Sequence, residues 1–95
     1  MQSSAMHVAG NVDGARLRER LTKLYEIGQE PGYQGAMRLA FSAADKRGRD
    51  FVLSLMQEAN LSPRIDAAGN LIGTRRGAVA DAPALIIGSH IDTVP

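Results

Sequence analysis

The sequence contains no cysteine and no tryptophan, and aromatic residues make up only 4% of its 95 residues. The lack of cysteine excludes disulfides and thiolate metal sites, and it fits a reducing compartment. A formal net charge of +1 provides no basic excess for nucleic acid or for a membrane surface. No apolar run approaches the ~20 residues needed to cross a bilayer. The sequence therefore predicts neither a nucleic-acid partner nor a membrane partner.

The first residues also lack the features of an export signal. Met1–His7 has no basic stretch followed by an apolar one, so no signal peptide is predicted. Residues 1–12 are small, polar and aperiodic, and we expect a flexible tail there. The remaining residues, 13–95, are enough for one small domain at most. We expect this protein to be cytoplasmic.

Two stretches show the apolar spacing of a helix. Asp13 is a suitable N-cap for the first helix, and Gly28 is a suitable end. Ser42 begins the second helix, and Asp45 three residues later completes a pattern similar to a capping box. Asn60 is a suitable stop for this second helix. The sequence therefore predicts one helix after residue 13 and another after residue 42.

Short strands are predicted for the second half of the chain. Arg64–Asp66 and Leu71–Arg75 flank a turn in which Gly69 and Asn70 tolerate positive φ. Ala84–Ser89 begins with a continuous apolar run, which is typical of a buried strand. The predicted fold class is α/β. Two helices, a hairpin and the first buried strand of a mixed sheet would form an incomplete layered α/β/α domain.

His90 and Asp92 directly follow this apolar run and are the candidate site residues. Side chains alternate between the two faces of an extended chain, so both would lie on the same face. A carboxylate beside an imidazole can fix the ring's tautomer or orientation at a metal. A lone histidine at a strand end is more often structural, so the spacing alone leaves both interpretations open. Two features add weight to the metal role: ligands often lie at the carboxyl ends of strands, and burying an unpartnered imidazole is costly.

Three segments together resemble one enzyme family. Gly88–Pro95, with Ser89 before the histidine, resembles the first metal-binding motif of metallo-aminoacylases and metallopeptidases of the carboxypeptidase-G and aminoacylase type. Arg38–Asp45 and Asp66–Gly73 are similar to the helix entry and the hairpin turn of one branch, the carbamoylase-type amidases. That branch includes N-carbamoyl-L-amino-acid hydrolases, allantoate amidohydrolases and β-ureidopropionases. Residues 13–95 thus resemble the N-terminal part of a catalytic domain of this type.

The resemblance implies hydrolysis of a non-peptide C–N bond in an N-carbamoyl amino acid, allantoate or a related ureido compound. Two divalent metals, zinc or manganese with cobalt or nickel as alternatives, would activate a water for attack on the carbonyl. His90 matches a metal ligand of the family, and Asp92 matches the aspartate that orients this ligand. His7 matches no residue of the motif. In the family pattern the other ligands and the general base lie beyond Pro95, so we expect the 95-residue chain to be inactive alone.

The resemblance also implies that full-length relatives are homodimers, through a second domain outside these residues. Two other functions remain open at this point. One is a peptidase or deacylase of the same wider family, and the other is a non-enzymatic α/β module that binds a protein partner. The reading frame after Pro95 distinguishes an enzyme from the binding module, because only an enzyme requires the remaining ligands there. The peptidase alternative depends instead on giving less weight to Ser89 and to the upstream segments.

Other family-like residues favour structural roles. Asp66 is predicted to set the hairpin turn, with metal ligation as the less favoured alternative. Arg38 is predicted to form a salt bridge or to anchor a loop, with contact to a substrate carboxylate as the alternative. Phe41 is predicted to be a hydrophobic staple at the start of the second helix. Gly48 lies inside that helix at a cost of about 1 kcal/mol relative to alanine, for which close packing against a neighbour is the favoured reason and neutral drift the alternative.

Overall fold

The computed structural model describes residues 10–95. Its regular elements, in chain order, are α1 (Gly14–Glu26), α2 (Ala43–Glu58), β1 (Ser62–Ile65) and β2 (Leu71–Thr74). The predicted α/β arrangement, with two helices before a hairpin, is confirmed. His7 and most of the predicted tail lie outside the described residues. In residues 10–95 neither helix combines the length and hydrophobicity needed to cross a membrane.

Helix α1 begins and ends where its capping residues predict. The Asp13 carboxylate accepts a hydrogen bond from the Arg16 backbone N–H at 3.0 Å, which satisfies one of the free donors of the first turn. Gly28 follows the C-cap residue Ile27 and adopts φ 98°, a conformation that costs glycine little. Local capping signals therefore define both ends of this helix.

Helix α2 is capped by two reciprocal contacts. Ser42 accepts a hydrogen bond from the Asp45 backbone N–H at 3.1 Å. The Asp45 carboxylate accepts in return from the backbone N–H of Phe41 at 3.0 Å, one residue earlier than in a standard capping box. Asn60, with φ 60°, follows the last turn as predicted. The side chain of Asp45 is buried, so its hydrogen bonds fix the entry to α2 firmly.

The hairpin packs against α2. Its antiparallel register pairs Ser62 with Thr74 and Ile65 with Leu71. Gly73 lies where an added Cβ would be 3.0 Å from both the Met56 sulfur and a methyl carbon of Leu61. A side chain at residue 73 would therefore crowd the side chains of Met56 and Leu61, which would have to shift.

The predicted buried strand Ala84–Ser89 is not formed. Residues 84–89 belong to no strand, and Leu85, Ile86 and Ile87 are 86–89% exposed. An apolar strand is stable only when neighbouring strands pair with it and other elements cover its faces. In residues 10–95 the hairpin is the only sheet, and it does not extend to this segment. The prediction is therefore wrong for the described structure, because no partner is there to pair with the segment.

The predicted staple at Phe41 is also wrong. The Phe41 side chain is 85% exposed, and its backbone adopts φ 65°. This left-handed conformation is unusual for a bulky residue, and it is held by the bond from its N–H to Asp45. The Phe41 ring lies near the hairpin turn, since a Cβ added at Gly69 would be 3.7 Å from the ring. The ring therefore lies beside the hairpin turn and does not pack on the helix.

Candidate functional site

The two predicted site residues contact each other. Nδ1 of His90 lies 3.1 Å from a carboxylate oxygen of Asp92 and 3.1 Å from its backbone carbonyl oxygen. Both neighbours are acceptors, so this arrangement favours the tautomer with the proton on Nδ1. Nε2 then carries the lone pair and is the ring nitrogen able to bind a metal. The His90 side chain is 81% exposed, so a ligand can approach it.

The described residues supply no complete metal site. In residues 10–95 no group of three or more histidine, cysteine, aspartate or glutamate side chains lies close enough to hold a metal. Catalytic zinc sites use three protein ligands and keep one position open. The geometry of His90 fits a ligand, but any site that uses it needs donors from outside these residues.

Arg38 connects the segment that carries these residues to the rest of the structure. Its side chain is 3% exposed, and Nε donates a hydrogen bond to the backbone carbonyl of Ile91 at 2.8 Å. Its Nη1 donates to the carbonyls of Leu24, at 2.7 Å, and Ile27. The prediction that Arg38 anchors a loop is confirmed. Contact between this guanidinium and a substrate carboxylate is excluded in the described structure by its burial.

Thr93 provides the second connection. Arg38 and Thr93 form an isolated antiparallel bridge, in which the Thr93 N–H donates to the Arg38 carbonyl at 2.8 Å. The Thr93 hydroxyl donates to the carbonyl of Ala36 at 2.6 Å. Ala36 is the one buried hydrophobic residue among those described. Residues 91 and 93 are thus attached to residues 36–38. Asp92 lies between them and His90 directly precedes them, and both side chains remain exposed.

Gly48 leaves the space that Arg38 occupies. A Cβ at this position would lie 2.7 Å from Cδ of Arg38 and 3.6 Å from a methyl carbon of Ile91. The Arg38 side chain cannot easily move away, because three carbonyl oxygens hold its guanidinium. The predicted close packing at Gly48 is confirmed, and the neighbour is the anchoring arginine.

Asp66 forms a turn, as predicted. Its carboxylate accepts from the backbone N–H groups of Ala68, at 3.0 Å, and Asn70, at 2.8 Å. It also accepts from the Asn70 side-chain amide at 2.9 Å. These bonds, chiefly the one from the Asn70 side chain, hold the pKa of the Asp66 carboxyl below its ordinary value of 3.8. Its hydrogen bonds are made within the turn, which supports the structural role.

Sequence reasoning did not identify the roles of Thr93 and Ile91. The partners of Arg38 lie 11 to 55 residues away along the chain, and no local pattern encodes such contacts. The one available signal was the glycine at residue 48, because its cost in a helix favours a neighbour that needs the space.

Comparison with known proteins gives a consistent set of relatives. The chain is 46% identical over 83 residues to an N-carbamoyl-L-amino acid amidohydrolase of Geobacillus stearothermophilus, covering 87% of this chain and 20% of the relative. It is 39% identical over 77 residues to allantoate deiminase 2 of Glycine max, covering 80% of this chain and 16% of the relative. No family model matches the chain.

The fold has a matching solved structure. A hydantoinase/carbamoylase family amidase from Burkholderia ambifaria aligns with a TM-score of 0.81 and 43% sequence identity. The alignment covers 86% of this chain and 20% of that protein. The chain therefore spans about a fifth of the length of these relatives. Within that span, sequence and fold agree on the same group of proteins.

Proposed function

We propose that this chain forms part of a metal-dependent enzyme that hydrolyses non-peptide C–N bonds. The premise is that the chain is homologous to a segment of the carbamoylase-type amidohydrolases. The substrates we propose are N-carbamoyl amino acids, allantoate or related ureido compounds. Support comes from relatives named N-carbamoyl-L-amino acid amidohydrolase and allantoate deiminase. The proposal covers a whole enzyme of which the chain supplies one part.

The observation that carries this proposal is the contact between Nδ1 of His90 and the carboxylate of Asp92 at 3.1 Å. We propose that His90 binds a divalent metal through Nε2 and that Asp92 orients the ring. An imidazole nitrogen suits zinc and manganese, with cobalt and nickel as alternatives. When bound, two such ions supply an activated water that can attack an amide or ureido carbonyl.

The 95-residue chain alone is expected to be inactive. His90 provides one ligand, whereas a catalytic zinc needs three protein ligands and a two-metal site needs more. Residues 10–95 contain no cluster that could complete the set. The remaining ligands and the general base must come from elsewhere in the working enzyme. Homodimerisation remains a prediction from the resemblance, and a cytoplasmic location remains a prediction from the sequence composition.

The test uses the full-length protein, meaning the product of the longest open reading frame that contains this chain. Ammonia release is measured with N-carbamoyl amino acids and with allantoate, before and after chelation. We expect metal-dependent activity that His90→Ala removes and that Arg76→Met, at an exposed arginine, retains. Full activity in His90→Ala would refute the role of His90. Absence of hydrolysis in the wild-type protein would favour a peptidase, a deacylase or a non-enzymatic binding module.

A further inference from the structure

A buried arginine contacts the segment that carries the candidate ligand. Arg38 is almost fully buried, and three backbone carbonyls bind its guanidinium. Two of them, from Leu24 and Ile27, lie at the C-terminal end of α1. The third belongs to Ile91, between the two candidate site residues. One side chain thus joins the end of a helix to the segment that carries the candidate site.

The chemistry of this contact makes it strong and directional. The carbonyl groups at the C-terminal end of a helix carry partial negative charge, which favours a cation there. Hydrogen bonds from a charged donor are roughly twice as strong as those between neutral groups. The guanidinium also presents its N–H groups in a rigid fork, so it holds its acceptors in a fixed relative geometry. A lysine cannot bind the carbonyls of Ile91, Leu24 and Ile27 in the same way.

The contact restricts the backbone at two points, one between His90 and Asp92 and one directly after Asp92. Arg38 holds the carbonyl of Ile91 at 2.8 Å, and its own backbone pairs with Thr93. His90 immediately precedes the first of these two fixed points, and Asp92 lies between them. A shift of the Arg38 guanidinium would therefore move the backbone from which both side chains extend.

We infer that Arg38 is a positioning residue for the metal ligand His90, and that Gly48 is the partner that gives Arg38 room to act. This inference rests on the proposed role of His90 as a ligand. Gly48 belongs to the arrangement because a Cβ there would lie 2.7 Å from Cδ of Arg38. A substitution at residue 48 would thus reach the metal ligand through the arginine. The effect of Arg38 is on affinity for metal, since the residue contacts neither metal nor substrate.

The test measures the affinity of the full-length protein for Zn²⁺ or Mn²⁺ by competition with a chelating indicator. Arg38→Lys and Gly48→Ala are each expected to weaken metal binding by roughly tenfold, the lower end of the usual effect of changing a residue that supports a ligand. The matched control is Gly73→Ala, which crowds Met56 and Leu61 at the hairpin and not Arg38. The thermal midpoint of each metal-free protein is measured alongside.

A purely structural role would give a different pattern. The inference requires that Gly48→Ala weakens metal binding while Gly73→Ala, at a comparable loss of thermal midpoint, does not. Equal metal affinity in Gly48→Ala and wild type would overturn it, as would an equal loss in the two glycine variants. Gly48→Ala decides the question even if Arg38→Lys does not fold.

His90→Ala separates this inference from the proposed function. If His90→Ala binds metal as tightly as wild type, the proposed ligand is wrong and the inference fails with it. If His90→Ala weakens binding while Arg38→Lys and Gly48→Ala do not, the proposed function stands and only the positioning role is overturned.

Discussion

Nε of Arg38 donates a hydrogen bond to the backbone carbonyl of Ile91 across 2.8 Å, although the two residues are 53 positions apart in the chain. This bond, with the bridge between Arg38 and Thr93, attaches the exposed His90–Asp92 segment to the loop between the two helices. Among the described residues, the one side-chain hydrogen bond or ion pair between α1 and α2 is the exposed Arg20–Glu58 pair at 3.1 Å, a type that contributes little. The buried arginine is therefore the main polar link between α1 and the candidate site.

Asp92 is predicted to support metal binding without being required for folding. Its carboxylate lies on an exposed side chain and contacts Nδ1 of His90. Asp92→Ala is expected to weaken metal binding by about 10–100-fold, because the ring loses one of the two acceptors that hold Nδ1. Asp81→Ala, at an exposed aspartate outside the helices and strands, is the matched control. Competition with a chelating indicator measures both variants, and equal affinity in the two would contradict the orienting role.

Gly28 is predicted to tolerate no side chain. It adopts φ 98°, and an added Cβ would lie 2.6 Å from the backbone oxygen of Met37. Gly28→Ala is expected to destabilise this junction by about 1–3 kcal/mol, the usual cost of a non-glycine residue in such a conformation. Gly77→Ala, where a Cβ meets nothing within 4 Å, is the control.

Hydrogen exchange provides the measurement for Gly28. The Met37 N–H donates to the Gly28 carbonyl at 2.8 Å, so its exchange reports opening of this junction. Exchange should accelerate at Met37 in Gly28→Ala and remain as in wild type in Gly77→Ala. Unchanged protection in Gly28→Ala would show that the junction can accommodate a methyl group.

The hairpin turn is predicted to weaken in acid. The folded-state pKa of Asp66 is lowered from 3.8, so its ionised form stabilises the turn above that pH. This contribution is lost as the pH falls from 3.8 through the lower folded-state pKa. Backbone amide shifts of Ala68 and Asn70, which both donate to Asp66, should follow this titration in NMR spectra. In Asp66→Asn the same amides should show no transition at this pH, and a transition that persists there would assign it to another group.

The exposed apolar segment at 84–87 is predicted to cause self-association of the isolated 95-residue chain. Leu85, Ile86 and Ile87 are each at least 86% exposed, and contiguous apolar surface of this kind promotes aggregation. Ile86→Lys should lower light scattering at equal concentration. Val79→Lys changes a more isolated exposed residue and should have a smaller effect. Equal scattering in wild type and Ile86→Lys would locate the association elsewhere.

Local signals predicted the elements that the structure contains. Asp13 and Ser42 cap the two helices, and Asp66 with Asn70 forms the turn, because each acts on backbone groups within four residues of itself. The strand predicted at 84–89 depends on pairing with residues distant in sequence, and an apolar run alone cannot indicate whether they are present. The staple predicted at Phe41 is wrong because the backbone of this residue is left-handed, with φ 65°.

The candidate site, like the fold, could be predicted from local sequence patterns only in part. His90 and Asp92 were identified as a pair because alternation along an extended chain is a local property, and the structure brings them into contact. The attachment of that pair through Arg38, Thr93 and Gly48 could not be predicted, since it joins segments far apart in the chain. The glycine inside α2, Gly48, is the residue whose type indicated close packing at this attachment.

The metal content of the purified full-length protein, measured by elemental analysis in wild type and in His90→Ala, tests the central claim most directly. The claim that His90 is a ligand in a two-metal amidohydrolase predicts about two divalent ions per protomer in wild type and a clear loss in the variant. Equal metal content in both proteins, or none in either, would contradict it.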